Sequence, residues 1–470
     1  MQVKFCGAAR YVTGSCHLIT LDNGFKILLD CGLFQGSSSK SWPKNNHWHF
    51  NPAEIDVLVL SHAHIDHTGR VPQLVKDGFR GTIYSTHATR SLCAIMLMDS
   101  GFIQEREVEY WNKNNLKKIR KNEIKPREPL YTTDDVEPAM ELFVSTNYDK
   151  WLKISDDVSV LFKDAGHILG SASVTLKIKE NGQTRMIGFT GDIGRPDRPI
   201  LKDPQPMPEV EYLICESTYG DRVHEMNPEQ SEKFLRIIRE TCVENRGKLI
   251  IPAFSVGRTQ EIVYMLDKME TAGILPEIPV FVDSPLAIDA TDVFAAHPEC
   301  FDKELHKYMM TDPNPFGFKR LKYIRKVDDS KALNDFEGPC IIISSSGMMN
   351  AGRVKHHLFN NIDQPQNTFL IVGYCSPETP GGRLRAGDET IRLYGEWKMV
   401  RARIEIMDSF SAHGDKYEML EFIKNQPHSV KQLFLVHGEI ETQEPFSAFL
   451  QEHGFRDIAI PHEGEVFPLK

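Results

Sequence analysis

Ser61-His62-Ala63-His64-Ile65-Asp66-His67-Thr68-Gly69 decides the reading of this chain. Three histidines and a carboxylate fall between positions 62 and 67, directly after the apolar run Ile55-Asp56-Val57-Leu58-Val59-Leu60. That run is rich in branched residues and closes on a polar turn, so it reads as a buried strand. A loop leaving a strand turns alternate side chains inward, which lets His62 and His64 grip one ion while Asp66 and His67 reach a second. Imidazole and carboxylate ligands without thiolate suit Zn2+, with Mn2+ or Fe as competitors. A lone histidine is more often a surface or core residue than a ligand. Four candidate ligands in so short a stretch set that ordinary reading aside.

Further along the chain the same pattern recurs. Lys26-Ile27-Leu28-Leu29 ends at Asp30, Ser159-Val160-Leu161-Phe162 leads to His167, Met186-Ile187-Gly188-Phe189 ends near Asp192, and Gln432-Leu433-Phe434-Leu435-Val436 ends at His437. Taken singly, an Asp or His after a strand is usually a turn residue. Together they gain force, because strands of one sheet end along a common edge, where α/β proteins build their sites. Their spread from residue 30 to residue 437 implies that the first and last parts of the chain form one domain and the middle is an insertion. The expected division is 1–208 and 398–470 for the outer domain and 209–397 for the inserted one. The inserted part has its own strand candidates, Leu249-Ile250-Ile251-Pro252, Val280-Phe281-Val282-Asp283 and Cys340-Ile341-Ile342-Ile343-Ser344, alternating with helical stretches, so the fold class is α/β. The charged region from Asp99 to Lys150 reads as a long surface helix and loop.

Composition bounds the function. With 41% hydrophobic and 26% charged residues in 470, the chain is a folded protein rather than a disordered one. No window reaches the ~18 consecutive apolar residues of a membrane-spanning helix, and the start, Met1-Gln2-Val3-Lys4-Phe5-Cys6-Gly7, does not look like a secretory signal. Nine cysteines without a C-x-x-C pair read as reduced thiols, hence a cytoplasmic protein with no membrane partner. A formal charge of −10 excludes a wholly basic coat protein but leaves room for a nucleic-acid enzyme with a locally positive site.

Five further segments narrow the chemistry: Glu216-Ser217-Thr218-Tyr219-Gly220-Asp221-Arg222, the run from Ile251 to Glu261, Ser344-Ser345-Ser346-Gly347-Met348-Met349, Phe410-Ser411-Ala412-His413-Gly414-Asp415 and Leu435-Val436-His437-Gly438-Glu439. With Gly7 to Cys16 and Asp30 to Gly36, they resemble the hallmark segments of the β-CASP nucleases over nearly the whole chain. That family includes the pre-mRNA 3′-end cleavage endonuclease, ribonuclease J and shorter bacterial and archaeal RNA-processing enzymes. The resemblance implies a metallo-β-lactamase αβ/βα sandwich with an inserted α/β β-CASP domain. It implies two zinc ions, with Mn2+ as a substitute: His62, His64 and His167 on one, Asp66, His67 and His437 on the other, and Asp192 bridging. Asp30 would orient ligands, and Glu216, His413 and His437 match the family's acidic, second and third motifs. Histidine at the third place is typical of the RNA-processing members, whereas the DNA-repair branch usually has valine. The segment from Gly373 to Arg383 departs from the Gln-Ala-x-Gly-Thr-Leu-Gly type common in relatives.

The implied activity is hydrolysis of phosphodiester bonds in single-stranded RNA. Asp30, Asp66, Glu216 and His413 are the catalytic candidates. His413 would deliver a proton to the departing O3′, with Glu216 behind it favouring the charged ring. For phosphate contacts, Ser344, Ser345, Ser346 and Gly347 follow a strand, and Arg258 and Thr259 stand at a helix start. Arg353 and Arg383 are further candidates, and the basic run 319–326 reads either as an electrostatic guide for nucleic acid or as a solvated basic face. The inserted domain would restrict entry to a single strand. A small-molecule hydrolase, a DNA nuclease and a non-catalytic RNA-binding subunit are the competing readings. Endonuclease against 5′-exonuclease stays open, with a lean to endonuclease because the motifs fill the chain without the extra domains of longer relatives. Monomer and homodimer stay open too.

Overall fold

Short runs of Val, Ile, Leu and Phe make the strands here, and their pairing divides the chain. The computed structural model describes residues 1–36, 38–224, 230–373, 375–407 and 412–470. Tyr374, Phe410 and Ser411, within two of the segments singled out above, lie outside the described residues. Two units form, Met1–Val223 with His413–Lys470, and His224–Ala412. Both junctions fall about fifteen residues later than the sequence suggests. The reason is pairing: Tyr212–Glu216 lies parallel to Gln432–Val436 in the first unit, while Arg403–Ile406 joins Thr368–Ile371 in the second.

The first unit contains two seven-stranded sheets. One runs in the order Val466–Pro468, Gln2–Gly7, Cys16–Thr20, Lys26–Leu29, Val57–Val59, Thr82–Thr86, Phe143–Thr146. The other runs Ile458–Ala459, Gln432–Val436, Tyr212–Glu216, Gln183–Phe189, Ala172–Glu180, Val158–Asp164, Leu152–Lys153. Phe5, Leu29 and Val59 from the first sheet share one buried core with Phe162, Val174, Phe189 and Phe434 from the second. This is the sandwich expected of two sheets that each bury one face.

Parallel pairing sets where the strands stop. Lys26–Leu29 and Val57–Val59 are parallel neighbours, and so are Gln183–Phe189, Tyr212–Glu216 and Gln432–Val436. Their C-terminal ends carry Asp30, Ser61-His62, Asp192, Glu216 and His437, while His167 sits in the loop between Val158–Asp164 and Ala172–Glu180. Asp30 and His437 adopt positive φ (57° and 53°), which turns each chain sharply at its strand end. Gly32 is required by close approach: a Cβ there would fall 1.6 Å from the Asp66 carbonyl oxygen.

The second unit is a six-stranded, all-parallel sheet in the order Leu321–Tyr323, Val280–Val282, Cys340–Ser344, Lys248–Pro252, Thr368–Ile371, Arg403–Ile406. Helices Arg258–Thr271, Pro285–Ala296 and Val354–Asn361 follow three of these strands. A hairpin of Thr390–Leu393 and Glu396–Met399 completes the unit.

Two local expectations change. The surface helix begins at His87 and runs to Asn114, because Thr86 caps it by accepting from Thr89 N–H. The basic run 319–326 contains the strand Leu321–Tyr323, and Arg320 and Arg325 are paired with Glu270 and Asp289. All nine cysteines are buried free thiols.

Candidate metal centre

The loop after Val57–Val59 runs straight into the helix Ile65–Thr68, which lifts His64, Asp66 and His67 onto the sheet edge beside His62. The seven expected ligands gather into two groups there. His62, His64, His167 and Asp192 offer donor atoms within 4.8 Å of one another, and so do Asp66, His67 and His437. Asp192 joins the groups through its two oxygens. Oδ2 lies 3.4 Å from His62 Nε2 and 3.4 Å from His167 Nε2, while Oδ1 lies 3.2 Å from His67 Nε2 and 3.7 Å from His437 Nε2.

Three of the imidazoles are held from behind. His67 Nδ1 donates to Asp30 Oδ2 at 2.6 Å, and His62 Nδ1 stands 3.1 Å from Ser61 Oγ. His437 Nδ1 stands 3.0 Å from Thr218 Oγ1, whose hydroxyl donates to Glu216 Oε2 at 2.6 Å. Asp30 itself accepts from Ser61 N–H (2.8 Å) and from the Ser15 and Ser61 hydroxyls. Buried carboxylates and hydroxyls behind ligand imidazoles fix ring orientation and tautomer. Asp30 touches His67 and not the centre of the cluster.

The donor set fits divalent cations. His62 Nε2 and His64 Nδ1 approach to 3.1 Å, His167 Nε2 and His64 Nδ1 to 3.2 Å, and His67 Nε2 and His437 Nε2 to 3.1 Å. Among His62, His64 and His167, neutral nitrogens facing one another at such distances bring lone pairs together; burial opposes charge on His67, but Asp192 and Asp30 raise it well above the ordinary imidazole value. Asp192 Oδ1 and His167 Nδ1 are buried and have no hydrogen-bond partner. Burial holds His62 and His167 well below the ordinary imidazole pKa and His64 down to about 4, so these rings are neutral and ligand-competent. Burial alone would raise Asp192, yet the surrounding histidines hold it well below the carboxylate range. A buried carboxylate kept ionised, with one oxygen lacking a hydrogen-bond donor, suits a position beside a cation.

A third group adjoins these two. His413 Nδ1 lies 3.2 Å from Glu216 Oε2 and 3.9 Å from Asp192 Oδ2. Burial opposes charge on this ring, but the Glu216 and Asp192 carboxylates prevail and raise it to about 9. Glu216 Oε1 is fixed by the Ile193 N–H. The ring therefore holds a proton at neutral pH beside the cluster.

The remaining candidates lie in the second unit. Ser344 and Ser345 hydroxyls donate to the Asp283 carbonyl (2.9 Å) and to Ser284 Oγ (2.8 Å), and Ser346 Oγ donates to Asn350 Oδ1 (3.0 Å). The first glycine of the helix Pro380–Arg385 donates from its N–H to Met348 O at 3.1 Å, so Arg383 starts close to the serine turn. Thr259 Oγ1 donates to the Phe254 carbonyl, and Arg258 pairs with Glu261. Arg383 pairs with Asp388, and Arg353 donates to Asp283 and to the Ile324 and Arg325 carbonyls. These arginines have local partners already. Ser15, Ser61 and Thr218 were missed from sequence, since a serine or threonine near a histidine carries no signal of its own.

Comparison with known proteins agrees with this geometry. The family model for the metallo-beta-lactamase superfamily matches residues 10–206, the Beta-Casp domain 259–384, and the Zn-dependent metallo-hydrolase RNA specificity domain 397–461. The chain is 34% identical to Ribonuclease TTHA0252 of Thermus thermophilus over 100% of both chains. It is 30% identical to an RNase J-like protein of Methanocaldococcus jannaschii over 99% of both. It is also 30% identical to Transcription termination factor FttA of Methanosarcina mazei, over 93% of this chain and 67% of that one. On these grounds the chain belongs to the β-CASP family of metallo-β-lactamase-fold hydrolases.

Proposed function

We propose that the chain is a two-zinc ribonuclease that hydrolyses phosphodiester bonds of single-stranded RNA, chiefly by internal cleavage, in the cytoplasm. The observation that carries this is the division of Asp192, one oxygen toward each group of ligands, with His413 and Glu216 alongside. His62, His64 and His167 would hold one cation, Asp66, His67 and His437 the other, and Asp192 both. Such a pair, when bound, supplies an activated water and charge compensation for the phosphoryl oxygens. Mn2+ satisfies the same donors.

The chain's own groups do the rest. Asp192 sets the separation of the two ligand groups. Asp30, Ser61 and Thr218 keep the imidazoles in register. His413 holds its proton through Glu216 and delivers it to the departing O3′, a contribution of typically ~10²–10⁴-fold. Within the second unit, the Ser344–Gly347 turn, with Thr259, Arg258, Arg353 and Arg383, is the proposed place for phosphate contacts. The relatives named as ribonucleases favour RNA over a small-molecule substrate. The described helices include none long and apolar enough to cross a membrane.

Digestion of RNA labelled separately at its 5′ and 3′ ends, with His64→Ala as control, tests the reading. Internal fragments from wild type alone support it. Mononucleotide release would reassign the chain as an exonuclease, and no difference from the variant would remove catalysis.

A further inference from the structure

The second unit carries a surface that the metal centre does not use. In the hairpin, Arg392 lies directly opposite Trp397 and Thr390 opposite Met399. Ile391 and Leu393 are buried in the unit's core, so strand alternation turns Thr390, Arg392, Trp397 and Met399 outward together. Trp397 is 63% exposed and Met399 50%. Aromatic side chains dominate the energetics of cores and interfaces, so an indole presented to water on a regular strand marks a contact surface.

Cations surround that surface. The Arg383 guanidinium lies 6.0 Å from the Trp397 ring centroid, and its Nε is steadied by Asp388 at 2.7 Å. Arg392 Nε donates to the Gly395 carbonyl at 3.3 Å, and the residue is exposed. In the turn, Tyr394 is 51% exposed and stacks on His356 (5.2 Å, 26°), with Lys355 Nζ 4.9 Å from its ring. Residues 383–403 hold six Arg or Lys against three Asp or Glu, within a chain whose formal charge is −10. Exposed rings flanked by cations are the chemistry that receives unpaired nucleobases and the phosphates between them.

We propose that this hairpin is a second binding surface for single-stranded RNA, with Trp397 and Tyr394 stacking bases and Arg392 and Arg383 meeting adjacent phosphates. This rests on the ribonuclease reading and adds to it a contact outside the metal centre. Because the rings are exposed, replacing them costs the fold little.

The test is fluorescence anisotropy of a labelled 20-nucleotide oligouridylate on the full chain, in a His413→Ala background that keeps the metal residues. Trp397→Ala is expected to weaken binding about tenfold, the weight of one stacked base, and Trp397→Phe to restore most of it. Arg392→Ala should lower the slope of log affinity against log salt by about 0.7, the value of one phosphate contact on a single strand. Equal binding by Trp397→Ala, when wild type cleaves RNA and the parent binds it, overturns the hairpin surface and leaves the ribonuclease reading standing. A wild type that neither binds nor cleaves RNA overturns both. If Trp397→Ala instead converts a dimer to a monomer in sedimentation, with RNA affinity unchanged, the surface belongs to a second copy and the inference fails.

Discussion

Two buried carboxylate–histidine networks stand at strand ends in this molecule, one in each unit. In the second unit Asp283 is fully partnered: it accepts from Ser330 Oγ (2.6 Å), His357 Nε2 (2.7 Å) and Arg353 (2.7 Å). In the first, Asp192 Oδ1 has no hydrogen-bond partner and five imidazoles converge around the carboxylate. The Asp283 network is complete as it stands, whereas Asp192 keeps one oxygen without a hydrogen-bond donor. Composition does not separate them, since each joins a buried Asp that follows a β-strand to buried histidine. What separates them is whether every carboxylate oxygen has a donor. Asp267 adds a third case: its Oδ1 is also unpartnered, but burial pushes its pKa up to about 6, so it gives up its proton later than an exposed carboxyl does.

Substitutions in each network sharpen this contrast. Asp192→Ala removes the group shared by both ligand sets, so RNA cleavage should drop to background, measured on end-labelled RNA. Asp283→Ala strands His357 and Arg353 and is expected to cost about 3–5 kcal/mol of stability, read by chemical denaturation, while metal content stays at the wild-type level. If Asp283→Ala instead empties the metal centre, the contrast collapses. Asp30→Asn keeps size but alters the acceptor behind His67, and should cost about 10–100-fold in metal affinity or activity, measured by competition with a chelator.

The smallest effect concerns pH. Asp267 has a raised pKa in the folded chain, so its contribution is fully present below about pH 4 and is lost as pH rises through about 6. Tyr308 donates to its Oδ2 at 2.7 Å, a bond that an amide oxygen can also accept. Asp267→Asn should therefore raise the thermal midpoint at pH 8 by roughly 2–4 °C, about 1 kcal/mol, with no gain at pH 4. An equal gain at both values would show that Asp267 is not protonated in the folded chain.

The metal edge was largely legible in the sequence. His62, His64, Asp66 and His67 announce themselves by density, and Asp30, His167, Asp192 and His437 by following strand candidates. Parallel strand pairing then brings them to one place. Less legible were the groups that act through hydrogen bonds, such as Ser61 and Thr218, because a hydroxyl near a histidine is commonplace. The arginines were the hardest to read. Arg258 and Arg353 looked like phosphate contacts and Arg320 like part of an electrostatic guide, and in the fold they meet Glu261, Asp283 and Glu270. Pairing between residues distant in sequence is invisible until the chain folds. Trp397 escaped notice for the opposite reason: a tryptophan in a strand is expected to be buried, and only the register of its hairpin turns it outward.

The claim on which the rest depends is that Asp192 stands between two cations. Anomalous diffraction at the zinc edge, from crystals of the Zn2+-reconstituted protein, tests it most directly. Two peaks are expected, one within coordination reach of His62, His64 and His167 and the other of Asp66, His67 and His437, with Asp192 touching both. A single peak, or none near Asp192, would contradict it.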